Sequence, residues 1–273
     1  MSAPSPAEAL EALQKSAPLV HVITNTLSQN DCANLLLAVG AHPIMAEAEE
    51  EAAEIATGCK ALVLNTGIPS AAKFRAMLLA GQAANRAAGI PVLLDPVGIG
   101  ASTFRREQIG RLMDAVSFAV IRGNSAEIAV LAGDSQVFSG VDSAADGDAQ
   151  PARLAARRFG AVILQSGAAD FITDGQHDRK IQGGHAAMAK ITGAGCMLSA
   201  LTGAFLAANP AHPLEAAAAA AAFWKKCAEL AAARMEAQGA GTGSLHCYLF
   251  DAASQITPAQ LENFSSFPAK AHQ

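Results

Sequence analysis

IPVLLDPVGIGAS runs from Ile90 to Ser102. Its apolar half, IPVLL, has no polar alternation, which is the pattern of a strand buried on both faces of a parallel sheet. An aspartate, Asp95, then stands where the run ends. Four further runs share the form: LVHVI, ALVLNTG, FAVIRGN and AVILQSG. Helically spaced segments lie between them, at Gln29 to Val39, Ala71 to Ala88 and Phe104 to Ala115. Ser28, with Asp31 three residues on, reads as an N-cap, and Gly40 and Gly89 sit where C-terminal glycines belong. Strand and helix in alternation predict an α/β fold: a three-layer, doubly wound, mainly parallel sheet flanked by helices.

After Gly195 the pattern changes to consecutive helices, Gly195 to Ala208, Pro213 to Gln238 and Ser244 to Gln255. GDSQVFSGVDSAADGDAQP, from Gly133, is the main irregular insertion and reads as a surface loop. The tail from about Thr257 is expected to fray. At 273 residues the chain is long enough for one large domain or two small ones; nothing forces a split and no internal repeat is present, so residues 1–273 are read as a single domain.

Composition narrows the partners. The formal net charge is −5 without basic clusters, which argues against nucleic acid and anionic membrane. The five cysteines, Cys32, Cys59, Cys196, Cys227 and Cys247, are scattered, with no C-x-x-C and no zinc spacing. They read as reduced thiols in a cytoplasmic protein. The N-terminus carries Glu8 and Glu11 and lacks the form of a signal peptide. The alanine-rich window LEAAAAAAAFWKKCAELAAA contains Lys225, Lys226 and Glu229, so it is a helix of a soluble protein.

Ligands of doubly wound sheets bind beyond the C-terminal ends of the strands. Those ends carry Asn65, Asp95, Asn124 with Glu127, and Ser166. Each alone reads as a turn or cap residue. Together with a helix start able to bind an anion, two carboxylates suit a magnesium-nucleotide site, because Mg²⁺ is usually held by carboxylates and phosphate oxygens. Neither G-x-x-x-x-G-K-[ST] nor a G-x-G-x-x-G after the first strand is present. Gly193-Ala194-Gly195 is the candidate phosphate loop, since its N–H groups open a helix at the positive end of the dipole. A close helix contact through small residues explains the same loop equally well. Cys32, Cys59, Cys227 and Cys247 read as packing residues, His21 as a satisfied strand histidine, and Trp224 and Tyr248 as filling of the helical layer.

Ile23-Thr24-Asn25, LLLAVGAHPIMAEAEEE (Leu35 to Glu51), LDPVGIGAS, IRGNSAEI (Ile121 to Ile128) and ITGAGCMLSA (Ile191 to Ala200) resemble, in matching order, the hydroxyethylthiazole kinases, a ribokinase-like family. The resemblance implies ATP- and Mg²⁺-dependent phosphorylation of the alcohol of 4-methyl-5-(2-hydroxyethyl)thiazole for thiamine biosynthesis or salvage. It implies Asp95 and Glu127 near magnesium and the ATP phosphates, Arg122 and Ser166 at ATP, and Met45 and Gly193 at the thiazole. Cys196 takes the place beside the reacting hydroxyl that an aspartate fills across most ribokinase-like kinases. A homotrimer with its active site at a subunit boundary is implied too. The chain departs from the family's frequent G-T-G-C at Ala194, and its TLSQND after ITN lies in a variable segment. A hydroxymethylpyrimidine-type kinase or an ADP-dependent dehydratase, both expected to carry Asp at the Cys196 position, is the enzymatic alternative. A silent thiazole- or nucleotide-binding sensor is the alternative from another class.

Overall fold

The computed structural model describes residues 3–87, 89–133, 149–262 and 267–268. In chain order the elements are α1 (Pro6–Ser16), β1 (Leu19–Ile23), α2 (Gln29–Val39), β2 (His42–Ile44), α3 (Ala52–Gly58), β3 (Ala61–Asn65), α4 (Ala71–Arg86), β4 (Val92–Asp95), α5 (Thr103–Ala115), β5 (Val120–Asn124) and α6 (Ser125–Ala132). There follow α7 (Gln150–Phe159), β6 (Val162–Ser166), β7 (Asp170–Thr173), β8 (Asp178–Ile181), α8 (Ala194–Ala208), α9 (Pro213–Ala237), α10 (Thr242–Gln255) and β9 (Phe267–Pro268). The strands form one sheet in the order β2-β1-β3-β4-β5-β6-β7-β8-β9. It is parallel from β2 through β6 and antiparallel from β6 onward.

All five apolar runs are parallel strands, and the missing polar alternation has a direct cause. Val20, Val63, Leu93, Val120 and Leu164 face a core shared with α1, α2, α8, α9 and α10. Their neighbours Ile23, Leu62, Leu94, Ile121 and Ile163 face a second core under α3, α4, α5 and α7. Each such side chain contributes about 1.5–3 kcal/mol on full burial, so both faces demand apolar residues. Ala216 to Ala222 of α9 are all buried, and their small size lets α9 lie close to its neighbours.

Several local expectations change. Ser28 precedes α2 but its side chain caps nothing; the Oδ1 of Asn25 accepts the Ser28 and Leu27 N–H groups instead, at 3.2 and 3.1 Å. Gly40 does close α2 in the left-handed region, at φ 98°. Residue 88, the expected end of α4, lies outside the described residues, and α4 ends at Arg86. Most of the insertion from Gly133 to Pro151, residues 134–148, also lies outside them, and its last two residues, Gln150 and Pro151, open α7 rather than ending a loop. Cys32, Cys59 and Cys227 are buried, but Cys247 is exposed on α10 and packs nothing away. Beyond Ile256, Pro258–Leu261 form a 3-10 turn that buries Leu261. Among the described residues no helix is long and apolar enough to cross a membrane.

Candidate active site

Side chains alternate along a strand, so the residue two beyond an inward apolar position lies on the same face. Asn65, Asp95, Arg122 and Ser166 continue the rows of Val63, Leu93, Val120 and Leu164, the rows under α8. Register sets Asn65 opposite Asp95 across β3 and β4, while across β5 and β6 Arg122 pairs with Leu164 and Ser166, two residues further along that row, pairs with Asn124. The fold thereby gathers four polar residues at one sheet edge, beneath the start of α8.

Asp95 is fully buried at the centre of this group. Its Oδ2 accepts the Asn65 amide at 2.7 Å and the Ser199 hydroxyl at 2.6 Å, and lies 3.6 Å from the Arg122 guanidinium. Its Oδ1 is buried with no hydrogen-bond partner. Burial pushes the carboxyl up to about 6; Arg122 pulls it down, Glu127 pushes it up, and the Ser199 and Asn65 bonds lower it. Arg122 also donates to Ser166 Oγ at 2.6 Å.

The start of α8 rests on these residues. Gly193 precedes the helix at φ 79°, a left-handed conformation that glycine adopts freely, and a Cβ there would meet Ser28 Cβ at 2.9 Å. A Cβ on Gly195 would come within 2.6 Å of the Arg122 guanidinium, so the glycine lets Arg122 lie directly under the helix end. The first intrahelical bond runs from Met197 N–H to Gly193 O, at 2.8 Å. The Gly195 and Cys196 N–H groups precede it, at the positive end of a 15-residue helix.

Cys196 is half-buried. Its Sγ accepts the Asn25 amide at 3.3 Å, and the same amide donates to Asn65 Oδ1 at 3.2 Å. A polar chain thus runs from Cys196 through Asn25 and Asn65 to Asp95, and on through Arg122 to Ser166. On the Arg122 side a cavity of about 670 Å³ opens between the α8 start, Gly167, Gly184, Trp224 and Lys225. That volume suits a nucleotide-sized ligand. Trp224, read from sequence as layer filling, is 6% exposed and forms part of this wall. The cavity floor is tied by Lys225, which donates to Gly167 O and Ala168 O at 2.8 and 3.0 Å and pairs with Asp170 at 3.2 Å.

The other sequence-derived candidates sit further out. Glu127 accepts the Gly98 N–H on Oε1 and the Asn124 N–H on Oε2, both at 2.9 Å, so it joins the β4 exit loop to the β5 end. No hydrogen bond links it to Asp95, although their charges interact. Met45 follows β2 and is partly buried against the same core as Cys196. Among the described residues no group of three or more His, Cys, Asp or Glu is placed to hold a metal by itself. Ser199 escaped the sequence reading although it lies one helical turn after Gly195, a spacing that could have revealed it. Asn25 was visible only as part of the ITN resemblance.

Known proteins resemble this chain over nearly its whole length. The model of the hydroxyethylthiazole kinase family matches residues 10–259. A hydroxyethylthiazole kinase of Methanoculleus marisnigri is 43% identical over 94% of this chain and 90% of its own. One of an Exiguobacterium species is 44% identical over 90% and 92%. The structure of the hydroxyethylthiazole kinase protein from Pyrococcus horikoshii superposes with a TM-score of 0.81 at 34% identity, covering 92% of this chain and 93% of that one. The pyridoxal kinase of Staphylococcus aureus, in complex with ADP, shares the ribokinase-like fold at 17% identity, with a TM-score of 0.56 over 78% and 87% of the two chains. A match over nearly the whole chain, on a fold that brings the strand-end residues to one helix start, makes this protein a member of the hydroxyethylthiazole kinase family.

Proposed function

We propose that the protein transfers the γ-phosphoryl group of ATP, with Mg²⁺, to the primary alcohol of 4-methyl-5-(2-hydroxyethyl)thiazole, in thiamine biosynthesis or salvage. The observation that carries this reading is the polar chain from Cys196 to Arg122, which spans the start of α8 with a nucleotide-sized cavity at its Arg122 end. The alcohol lies on the Cys196 side, with Gly193 and Met45; ATP lies on the side of Arg122 and Ser166.

Asp95 suits a cation through its one buried oxygen that nothing in the protein satisfies. Glu127 offers the lone pairs its two N–H partners leave free. So small a protein donor set suits Mg²⁺, which keeps water and phosphate oxygens as most of its ligands. When bound, Mg²⁺ neutralises phosphate charge. The remaining work falls to the chain itself. Phosphoryl transfer passes through a loose transition state, so alignment and charge stabilisation dominate over early proton removal. Arg122 supplies a fixed cation and the Gly195 and Cys196 N–H groups a fixed dipole end. Cys196, with Sγ held by the Asn25 amide, orients the hydroxyl rather than stripping its proton. The assembly we propose is a cytoplasmic homotrimer of one-domain subunits, with the active site at a subunit boundary.

A coupled ADP-release assay over the thiazole alcohol, hydroxymethylpyrimidine and ribose tests the reading. Turnover of the thiazole is expected. Turnover of the pyrimidine with none of the thiazole contradicts it, and binding without any turnover makes the protein a sensor.

A further inference from the structure

Lys73, on α4, is 5% exposed, and nothing in the sequence set it apart. Its ammonium donates to Thr24 O at 2.6 Å and to Gly67 O at 2.8 Å, backbone groups on the exit loops of β1 and β3. Arg105, on α5, repeats the arrangement one strand on: its guanidinium donates to Thr66 O at 3.0 Å and to Val97 O at 2.8 Å, on the exit loops of β3 and β4. Glu127, on α6, continues it between the loop of β4 and the end of β5. Charged side chains from three successive helices thus stitch neighbouring loops along the edge that carries Asn25, Asn65 and Asp95.

The stitched backbone is crowded and strained where Lys73 grips it. A Cβ on Gly67 would meet Asn25 Nδ2 at 2.8 Å, so Gly67 lies directly on the amide that reaches Cys196. The next residue, Ile68, has φ 47°, a conformation that costs a β-branched residue and persists only where surrounding bonds enforce it. Thr24 O, the other acceptor, belongs to the residue just before Asn25.

We propose that Lys73 is a positioning residue for the alcohol half of the site: by strapping Thr24 O to Gly67 O it fixes Asn25 between Asn65 and Cys196, with Arg105 holding the adjoining loop. Burial pulls the Lys73 ammonium down to about 8, Glu47 and Cys196 push it up and Arg105 pulls it down, so it remains largely charged at neutral pH. The catalytic consequence rests on the phosphoryl-transfer reading; the strap itself does not.

Lys73→Met, Lys73→Gln and Lys73→Arg in the full-length protein test the proposal by kinetics and by hydrogen exchange without ligand. Misplacing a reacting group by about 1 Å can cost on the order of a hundredfold. Lys73→Met is expected to lower kcat/KM for the thiazole by about tenfold or more, with the KM for ATP within about twofold of wild type. The Leu27 and Ser28 amides, which donate to Asn25 Oδ1, are expected to exchange about tenfold faster while α9 is unchanged. Lys73→Arg is expected to recover most of both losses, because a guanidinium can still donate to two carbonyls. If Lys73→Met does not fold, Lys73→Gln is read in its place. Wild-type kinetics and exchange in the neutral variant overturn the proposal; so does a general rise in exchange with both KM values shifted, which marks a merely structural residue. If wild type itself does not turn over the thiazole, the kinase reading has failed and the exchange at Leu27 and Ser28 alone decides the strap.

Discussion

Asp95 concentrates the tension between folding and chemistry. Its carboxyl is raised from 3.8 to about 6, chiefly by burial, so the folded state binds its proton more tightly than the unfolded chain does. The sign follows directly: this contribution to stability is fully present below about pH 4 and is lost as pH rises through about 6. At pH 7.5 the buried, ionised Asp95 therefore lowers stability. Asp95→Asn keeps an oxygen for the Asn65 and Ser199 bonds and removes the charge. Calorimetry is expected to show a thermal midpoint several degrees above wild type at pH 7.5, with the gap closing near pH 4. The same variant is expected to lose on the order of a hundredfold in kcat, the scale of a removed charge-stabilising group. The wild-type kcat/KM for ATP is expected to fall as pH drops through about 6, where Asp95 of the free enzyme takes up its proton. An unchanged midpoint at pH 7.5 would mean that Arg122 fully compensates the burial.

α8 is the element on which the site depends, and its seat is narrow. A Cβ on Gly203 would approach Val63 Cγ2 to 2.3 Å, so the helix lies almost on β3 at that point. Gly203→Ala forces helix and strand apart and is expected to cost about 1–3 kcal/mol in denaturant unfolding, with a loss of kcat because Gly195 and Cys196 move with the helix. The sequence made much of this element layer legible, since strands buried on both faces announce themselves as unbroken apolar runs. It hid β7 and β8, where DFIT and DRKI are short and charged, and β2, where HPI is three residues at the sheet's edge with a proline at its middle. The strand-end residues were legible for a related reason: a polar group closing an apolar run stands out locally. Asn25 bonding Cys196 across 171 positions, or Lys73 bonding Thr24 across 49, leaves no local trace and depends on the finished fold.

At the scale of the molecule, one sheet edge carries both halves of the proposed reaction. Lys73, Arg105 and Glu127 fasten the loops of β1, β3, β4 and β5, while Arg122 with Ser166 and Lys225 with Asp170 continue the row to the cavity. The start of α8 lies where the halves meet, and Cys196 is the one nucleophilic side chain of that helix's first turn. In the proposed reaction this thiol orients the alcohol without being indispensable as a base. Steady-state kcat with the thiazole alcohol in Cys196→Ala and Cys196→Asp tests it most directly. The alanine variant is expected to be weakened but not silent, since the loose transition state needs little early proton removal, and the aspartate variant active, since Asn25 can donate to a carboxylate as it does to Sγ. A wild-type rate in Cys196→Ala, or a folded but inert Cys196→Asp, would contradict it.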